Sequence, residues 1–329
     1  MAGLCALDSL LMSAYCCPPQ TGVPLGPSRS HPTALPLLFL AGAALFWGTS
    51  FVATKTALQT FTPMTVNWLR MVIATLAFAA FWARIVRPRY QRGDWKMLLL
   101  AAICIPCLYY ALEGYAILLT TSSQAGVISA IVPLLVAGGA WVFLRERLTW
   151  RSAIAIALSL AGVAALTLGS TVQQSASNPL LGNLLELLAM VAAAGSMLAI
   201  KHLSARYDPW LLTGMQAAVG AVFFAPMALA SNPATWLSAR PLAWACVAYL
   251  GIVVSLGAFG LYNSALKLMP AGRASLAINV VPAVALLAGW VVRGESLSWV
   301  QLAACVVIVG AVVFAESGPD SVPAEEPLG

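Results

Sequence analysis

The sequence predicts an all-α polytopic membrane protein: ten transmembrane helices arranged as two inverted five-helix repeats. Three observations carry this. Charged residues make up 9% of the 329, against roughly 25% in an ordinary globular domain. Mean hydropathy is +0.88, and successive apolar stretches reach the roughly 20 residues that cross about 30 Å of hydrocarbon. The third observation is that the two halves of the chain repeat one another, as set out below.

The ten spans fall at about 35–57, 63–83, 95–119, 122–144, 150–169, 181–203, 209–230, 242–266, 271–292 and 297–315. Apolar segments of this length must be helical, because lipid offers no partner to an unpaired backbone amide. Short connections imply one bundle. Residues 1–34 read as a disordered leader, with Pro-Pro, Gly-Pro and serine-rich turns and no basic n-region of a secretory signal. Residues 316–329 read as a disordered acidic tail. Between them lie a first repeat at 35–169, an external linker at 170–180 and a second repeat at 181–315.

The formal charge of +6 does not point to nucleic acid; its meaning lies in where the charges sit. The loop RIVRPRYQRGDWK, the loop with Arg145, Arg147 and Arg151, the pair Lys201 and Arg206, the pair Lys267 and Arg273, and Arg29 all fall on one side. The other side has Lys55, Arg240 and Arg293. The positive-inside rule then predicts both termini in the cytoplasm. No metal site or cofactor is expected. The histidines, His31 and His202, stand far apart, and of seven cysteines three lie in the leader and four in predicted spans. Cys104 and Cys107 imitate a CxxC redox motif, but mid-span they lack the exposed, electropositive setting that activates a thiol and read as packing.

The repeat is direct. AGVISAIVPLLVAGGAWVFLRERLTW from Ala125 aligns with ASLAINVVPAVALLAGWVVRGESLSW from Ala274, so that Pro133, Trp141, Glu146 and Trp150 meet Pro282, Trp290, Glu295 and Trp299, each 149 residues on. Earlier in each half GTSFVATK (48–55) meets AGSMLAIK (194–201), and Pro63 meets Pro209, 146 residues on. Five helices is an odd number, so the second unit enters the membrane from the opposite side. An inverted repeat is the architecture of secondary transporters, whose site lies at the midplane between the halves.

The phrases LFWGTSFVATK, PMTVNWLRMVIATL, EGYAILLTTSSQAGVISAIVPLLVAGGAWVFLRERLTW and the second copy ending in VVRGESLSW resemble the drug/metabolite transporter superfamily, specifically its paired EamA-type domains. The resemblance covers about residues 35–315. It implies a central cavity between helices 1–4 and 6–9, with helices 5 and 10 peripheral. It also implies movement of small metabolites without ATP, in keeping with the lack of a phosphate-binding GxxxxGK[ST] loop. It does not name the solute, and oligomeric state, including a homodimer, stays open. An enzyme is not expected, since no nucleophile, base or metal constellation gathers at one face.

Intramembrane polar residues point at the bundle interior or a wet pathway. The pathway candidates are Trp47, Ser50, Asn67, Arg70, Tyr110, Glu113, Ser196, Gln216, Asn263 and Asn279. Glu113 is the sharpest. Burial disfavours a charged carboxyl and so suits proton exchange, and the group could equally meet a substrate ammonium. The alternative is a structural hydrogen bond or a pairing with Arg70. Its equivalent in the second half is Tyr262, so the symmetric scaffold does not itself require an acid. The resemblance implies a packing or gating role for Arg70, with Gln216 as its counterpart, and a turn-anchoring role for Glu146 and Glu295. Pro133 and Pro282 predict bends in spans 4 and 9. Glu186, one to two turns into span 6, reads as interfacial. The expected reading is a proton-linked secondary transporter exporting an amino acid or related solute from a bacterial inner membrane. An uncoupled facilitator is the nearest alternative.

Overall fold

The computed structural model describes residues 34–81, 90–144, 149–169, 176–204, 206–231, 236, 239–268 and 280–316. Within them the chain forms ten helical spans and no sheet. These are α1 (Ala34–Ala57), α2 (Pro63–Phe81), α3 (Asp94–Leu119), α4 (from Ser122–Ile128 through Val132–Leu144), α5 (Trp150–Leu168), α6 (Pro179–Leu203), α7 (Pro209–Leu229), α8 (Pro241–Leu268), α9 (Val281–Arg293) and α10 (Trp299–Glu316). Seven of them, α1–α4 and α6–α8, are long and apolar enough to cross a membrane, and α5, α9 and α10 contain shorter apolar helices. Large apolar side chains such as Leu76, Val222, Leu287 and Val306 stand exposed on the outer surface, where lipid rather than water is their solvent.

Local signals start each helix where the sequence calls for it. Asp208 caps α7, accepting from the amides of Trp210 and Leu211, with Pro209 in the first turn. Thr62 and Pro63 do the same for α2, the equivalent helix 146 residues earlier. Asn178 and Pro179 open α6.

The repeats are visible in side-chain geometry as well as in topology. Lys55 at the end of α1 donates to the carbonyls of Ile117, Leu118 and Thr120 at the end of α3. Lys201 at the end of α6 donates to the carbonyl of Leu266 at the end of α8. Residues 55 and 201, and 117 and 266, are repeat partners, so both units carry the same lysine clamp. One clamp lies at the face bearing the arginine-rich loops (the basic face) and the other at the opposite face. That is the signature of inversion.

Packing follows the same symmetry: α1 lies against α8 and α9, and α6 against α3 and α4. Helices α2 and α7 pack together across the pseudo-twofold axis, and α5 packs chiefly on α10, so the last helix of each unit stands aside from the centre. Backbones approach closely through small residues. A Cβ on Gly182 in α6 would meet the backbone of Thr120 at 2.9 Å and of Ala116 at 3.0 Å, and one on Gly195 would lie 3.1 Å from Cys104. These contacts set the register of α6 against α3.

The helices are not uniform. Within α3, residues Ile103–Leu108 open into a π-helical turn around Pro106, with Ile105 out of helical conformation at φ −130°, ψ 123°. Proline removes a helix bond and explains the opening. The matching stretch of α8, Leu250–Ala258, is also π-helical yet has no proline, and the sequence predicted no bend there. Pro133 follows a tight 3-10 turn at Ser129–Ile131 that interrupts α4 partway along, and Pro282 lies in the first turn of α9. The leader, Glu146, Asn279 and the chain beyond Glu316 lie outside the described residues.

One contact ties the repeats at the face opposite the basic loops. Gly294, at φ +63°, closes α9 in a left-handed turn that only glycine adopts readily, and the amides of Gly294 and Glu295 return to Trp290 and Gly289. Glu295 is thereby delivered to the start of α4. Its carboxylate accepts from the amides and hydroxyls of both Ser122 and Ser123, at 2.7–3.1 Å. An anion at a helix N-terminus is doubly favoured, by the unpaired amides and by the helix dipole. Burial works against the charge, but the serine hydrogen bonds outweigh it and hold Glu295 below the usual carboxylate range.

Two outcomes follow. Glu295→Ala should lower stability by about 2–4 kcal/mol, since charge-assisted bonds in a buried site are lost. Because this carboxyl is depressed in the folded state, its contribution is complete above the ordinary carboxylate range and drains as pH falls through the depressed value. Thermal midpoints of wild type and Glu295→Gln in detergent should therefore differ most at neutral pH and converge in acid. Separately, Gly182→Val should cost about 1–3 kcal/mol by forcing α6 off the α3 backbone, read as a lower melting temperature than that of Leu181→Val on the exposed face.

Candidate functional site

The polar candidates are placed by two reciprocal crossings between repeats. Arg70 on α2 reaches the π-helical turn of α8, its Nε donating to Ser255 Oγ at 2.9 Å. Gln216 on α7, the equivalent residue, reaches the π-helical turn of α3 and donates to the carbonyl of Ile105 at 2.9 Å. The opened helix leaves this carbonyl without its usual partner, and the glutamine supplies one. Gln216 also donates to Ser196 Oγ at 3.1 Å, and both side chains reach the carbonyl of Ala101.

Hydrogen bonds within each repeat flank these crossings. Asn67 on α2 donates to the carbonyl of Tyr110 at 2.6 Å, and Asn263 on α8 donates to Thr213 Oγ1 on α7 at 3.0 Å. Ser50 turns back on its own helix and donates to the Trp47 carbonyl. Trp47 packs its ring on Phe259 and Tyr262, with centroids 5.1 and 5.0 Å away, and its buried Nε1 has no hydrogen-bond partner among the described residues.

Two small cavities meet at Gln216, each offering about 10 Å³ to the centre of a water molecule, room for about one water apiece. One is bounded by Tyr110, Thr213 and Ser255, the other by Ser196, Met197, Tyr262 and Asn263; Ile105, Gln216 and Phe259 border both. Packing of the described residues leaves little space between the halves at this point. Tyr110, Ser196, Gln216 and Asn263 are thus brought together at one place between the halves. Trp47 lines neither of these two cavities and instead backs two rings that do.

Glu113 and Arg70 form an adjoining charged layer. Arg70 is 1% exposed, lies 4.2 Å over the ring of Tyr110, and holds its Nη1 3.8 Å from Glu113 Oε2. The Tyr109 hydroxyl donates to Glu113 Oε1. Glu113 is therefore paired, and the expected contact with Arg70 is present. Tyr110 stacks under the arginine and does not contact the carboxylate through its hydroxyl.

Glu186 overturns its interfacial expectation. It is 0% exposed, and neither carboxylate oxygen has a hydrogen-bond partner among the described residues. Its position two turns into α6 suggested a headgroup location, but α3 and α4 close over that side of the helix. The signal available in the sequence was an acid flanked by apolar residues, NLLELLAM, with no basic residue a turn away.

Among the described residues no group of histidine, cysteine, aspartate or glutamate is arranged to hold a metal. Cys104 and Cys107 are free thiols.

Comparison with known proteins places this geometry. The model of the EamA-like transporter family matches twice, over residues 34–168 and 180–316. The chain is 31% identical over 277 residues to the uncharacterized transporter YcxC of Bacillus subtilis, covering 81% of this chain and 88% of that one. It is 27% identical over 257 residues to a probable terminal-alkyne amino-acid exporter of Streptantibioticus cattleyicolor, covering 76% and 82% of the two chains. A solved crystal structure superposes with a TM-score of 0.62 at 21% identity, over 86% of this chain and 98% of its own, a likeness of fold alone. With two tandem matches spanning nearly all of its helices, this chain belongs to the EamA-like transporter family, as an integral membrane protein that moves small solutes.

Proposed function

We propose that the protein exports an amino acid or a related small solute in exchange for protons, by alternating access between its two repeats. The observation that carries this reading is the meeting of Tyr110, Ser196, Gln216 and Asn263, drawn from both halves, at a closed pair of cavities beside a buried charged layer. An inverted repeat lets each half adopt the conformation of the other, so a site at their junction can face either side in turn. Rupture of the Glu295 contacts with Ser122 and Ser123 opens the face opposite the basic loops. The layer at Glu113 is the coupling site: a carboxyl able to bind a proton in one state and a solute ammonium in the other. The amino acid as cargo is suggested by the name of the Streptantibioticus relative. The basic loops lie in the cytoplasm, in an inner membrane of bacterial type.

The pairing of Glu113 with both Arg70 and Tyr109 favours a second reading. In it the layer only packs the bundle, and the protein is an uncoupled facilitator.

Purified protein in liposomes, given a mixture of L-amino acids and an imposed pH gradient, should show solute-dependent proton flux, and Glu113→Gln should abolish it. Amino-acid movement indifferent to the gradient would leave the facilitator. For topology, single cysteines in place of Arg87 and Gln173, in a background lacking the native thiols, should react with an impermeant label from opposite sides of sealed vesicles. Labelling from one side would break the inverted arrangement and alternating access with it.

A further inference from the structure

Helices α3 and α6 run antiparallel, and their register can be read at both ends. Gly182 lies on Ala116 and Thr120, and Asn183 accepts from Thr120 Oγ1 at 2.7 Å; further along, Gly195 lies on Cys104 and Ser196 donates to the carbonyl of Ala101. Interpolating between these contacts sets Glu186 across from Glu113. The two carboxyl groups are within electrostatic reach of each other, and Glu186 is within reach of the Tyr109 hydroxyl.

The charges of this layer do not balance. Among the described residues two carboxyl groups face one guanidinium, and its ion pair is with Glu113. The Tyr109 hydroxyl is also committed to Glu113. Every element packed on α6 can be checked for a group that could neutralise Glu186. From α3 the facing groups are Glu113, a like charge, and Tyr109. The described part of α4 carries no titratable side chain. Arg151 of α5 lies at the basic face beside Trp150 and Phe314, far from the end of α6 that holds Glu186. Tyr262 of α8 points at Met197, three turns along α6, and Lys267 lies at the basic end of its helix. A fully buried carboxylate with no partner and a like charge beside it is strongly disfavoured.

We propose that Glu186 carries the proton of the transport cycle: it is held as the neutral acid in this closed conformation and releases its proton when the bundle opens to water. This rests on the proton-coupled reading above and names the carboxyl of that layer that holds the exchangeable proton, the neighbour of Glu113 on the other repeat. The step is a proton transfer alone. The O–H bond of Glu186 breaks, the proton passes to water in the open pathway, and the carboxylate left behind is met by water or by the ammonium group of an incoming solute. Glu113, fixed by Arg70 and Tyr109, is then a positioning residue whose like charge adds to burial, which by itself suffices to keep Glu186 uncharged in this conformation.

Infrared spectroscopy of the purified protein in lipid tests the assignment without any solute. At neutral pH wild type should show the carbonyl stretch of a protonated carboxylic acid. Glu186→Gln should lose it. The double variant Arg70→Gln/Glu113→Gln, which removes the ion pair as a unit, should keep it. Absence of the band in wild type, its survival in Glu186→Gln, or its loss in the double variant would each overturn the proposal. Glu186→Gln should also fold with a melting temperature close to that of wild type, because the amide mimics the neutral acid; failure to fold would show that the charge is needed and count against the assignment. In liposomes Glu186→Gln should not accumulate L-amino acids against a pH gradient, and retained accumulation would overturn it too. If wild type itself moves no amino acid, the transport reading falls, while the infrared result still decides where the proton sits.

Discussion

A polar atom without a partner is costly in hydrocarbon, and the interior of this bundle is organised around that constraint. Each departure from regular helix is answered by a side chain from the other repeat. The backbone opened at Pro106 is met by Gln216, and the opened turn of α8 is met by Arg70 through Ser255. Helix ends are also covered by side chains, the carbonyls of α3 and α8 by lysines of their own repeat and the amides of α4 by Glu295 of the other. The bonds that satisfy one repeat therefore belong in large part to the other. This couples the two units mechanically: neither can shift without exposing a group that its partner had covered.

Against this background the exceptions stand out. Arg70 Nη1, Trp47 Nε1 and both oxygens of Glu186 lie where the halves meet and lack hydrogen-bond partners among the described residues, as do Arg206 Nε and Arg293 Nε outside that region. Unsatisfied polar groups in a closed interior are places where a different conformation, or a bound molecule, does better.

The symmetry is also broken where chemistry is wanted. Arg70 stands opposite Gln216, and Glu113 opposite Tyr262, which packs on Trp47. The scaffold functions with neutral side chains at these positions in the second repeat, so the charged layer in the first is an addition to the fold rather than a condition of it. Glu186 extends that layer onto α6, and its equivalent in the first repeat, Leu40, is a buried apolar residue.

The sequence by itself determined the class, the helix limits and the duplication, because hydrocarbon thickness, backbone satisfaction and proline or glycine punctuation act locally and leave a periodic trace. Described helix ends such as Ala57, Pro63, Leu119 and Leu203 coincide with readings made from hydropathy and prolines. The pairing of Arg70 with Glu113 was legible for the same reason, since few charges lie inside the spans. Only the tertiary structure decided which polar groups meet. The π-helical turn of α8 has no proline to announce it; Glu295 reaches Ser122 and Ser123 across more than half the chain; Glu186 is buried because α3 and α4 cover it. Burial and partnership are properties of packing between helices, and spacing along one strand of sequence carries no record of which neighbour will be laid against it.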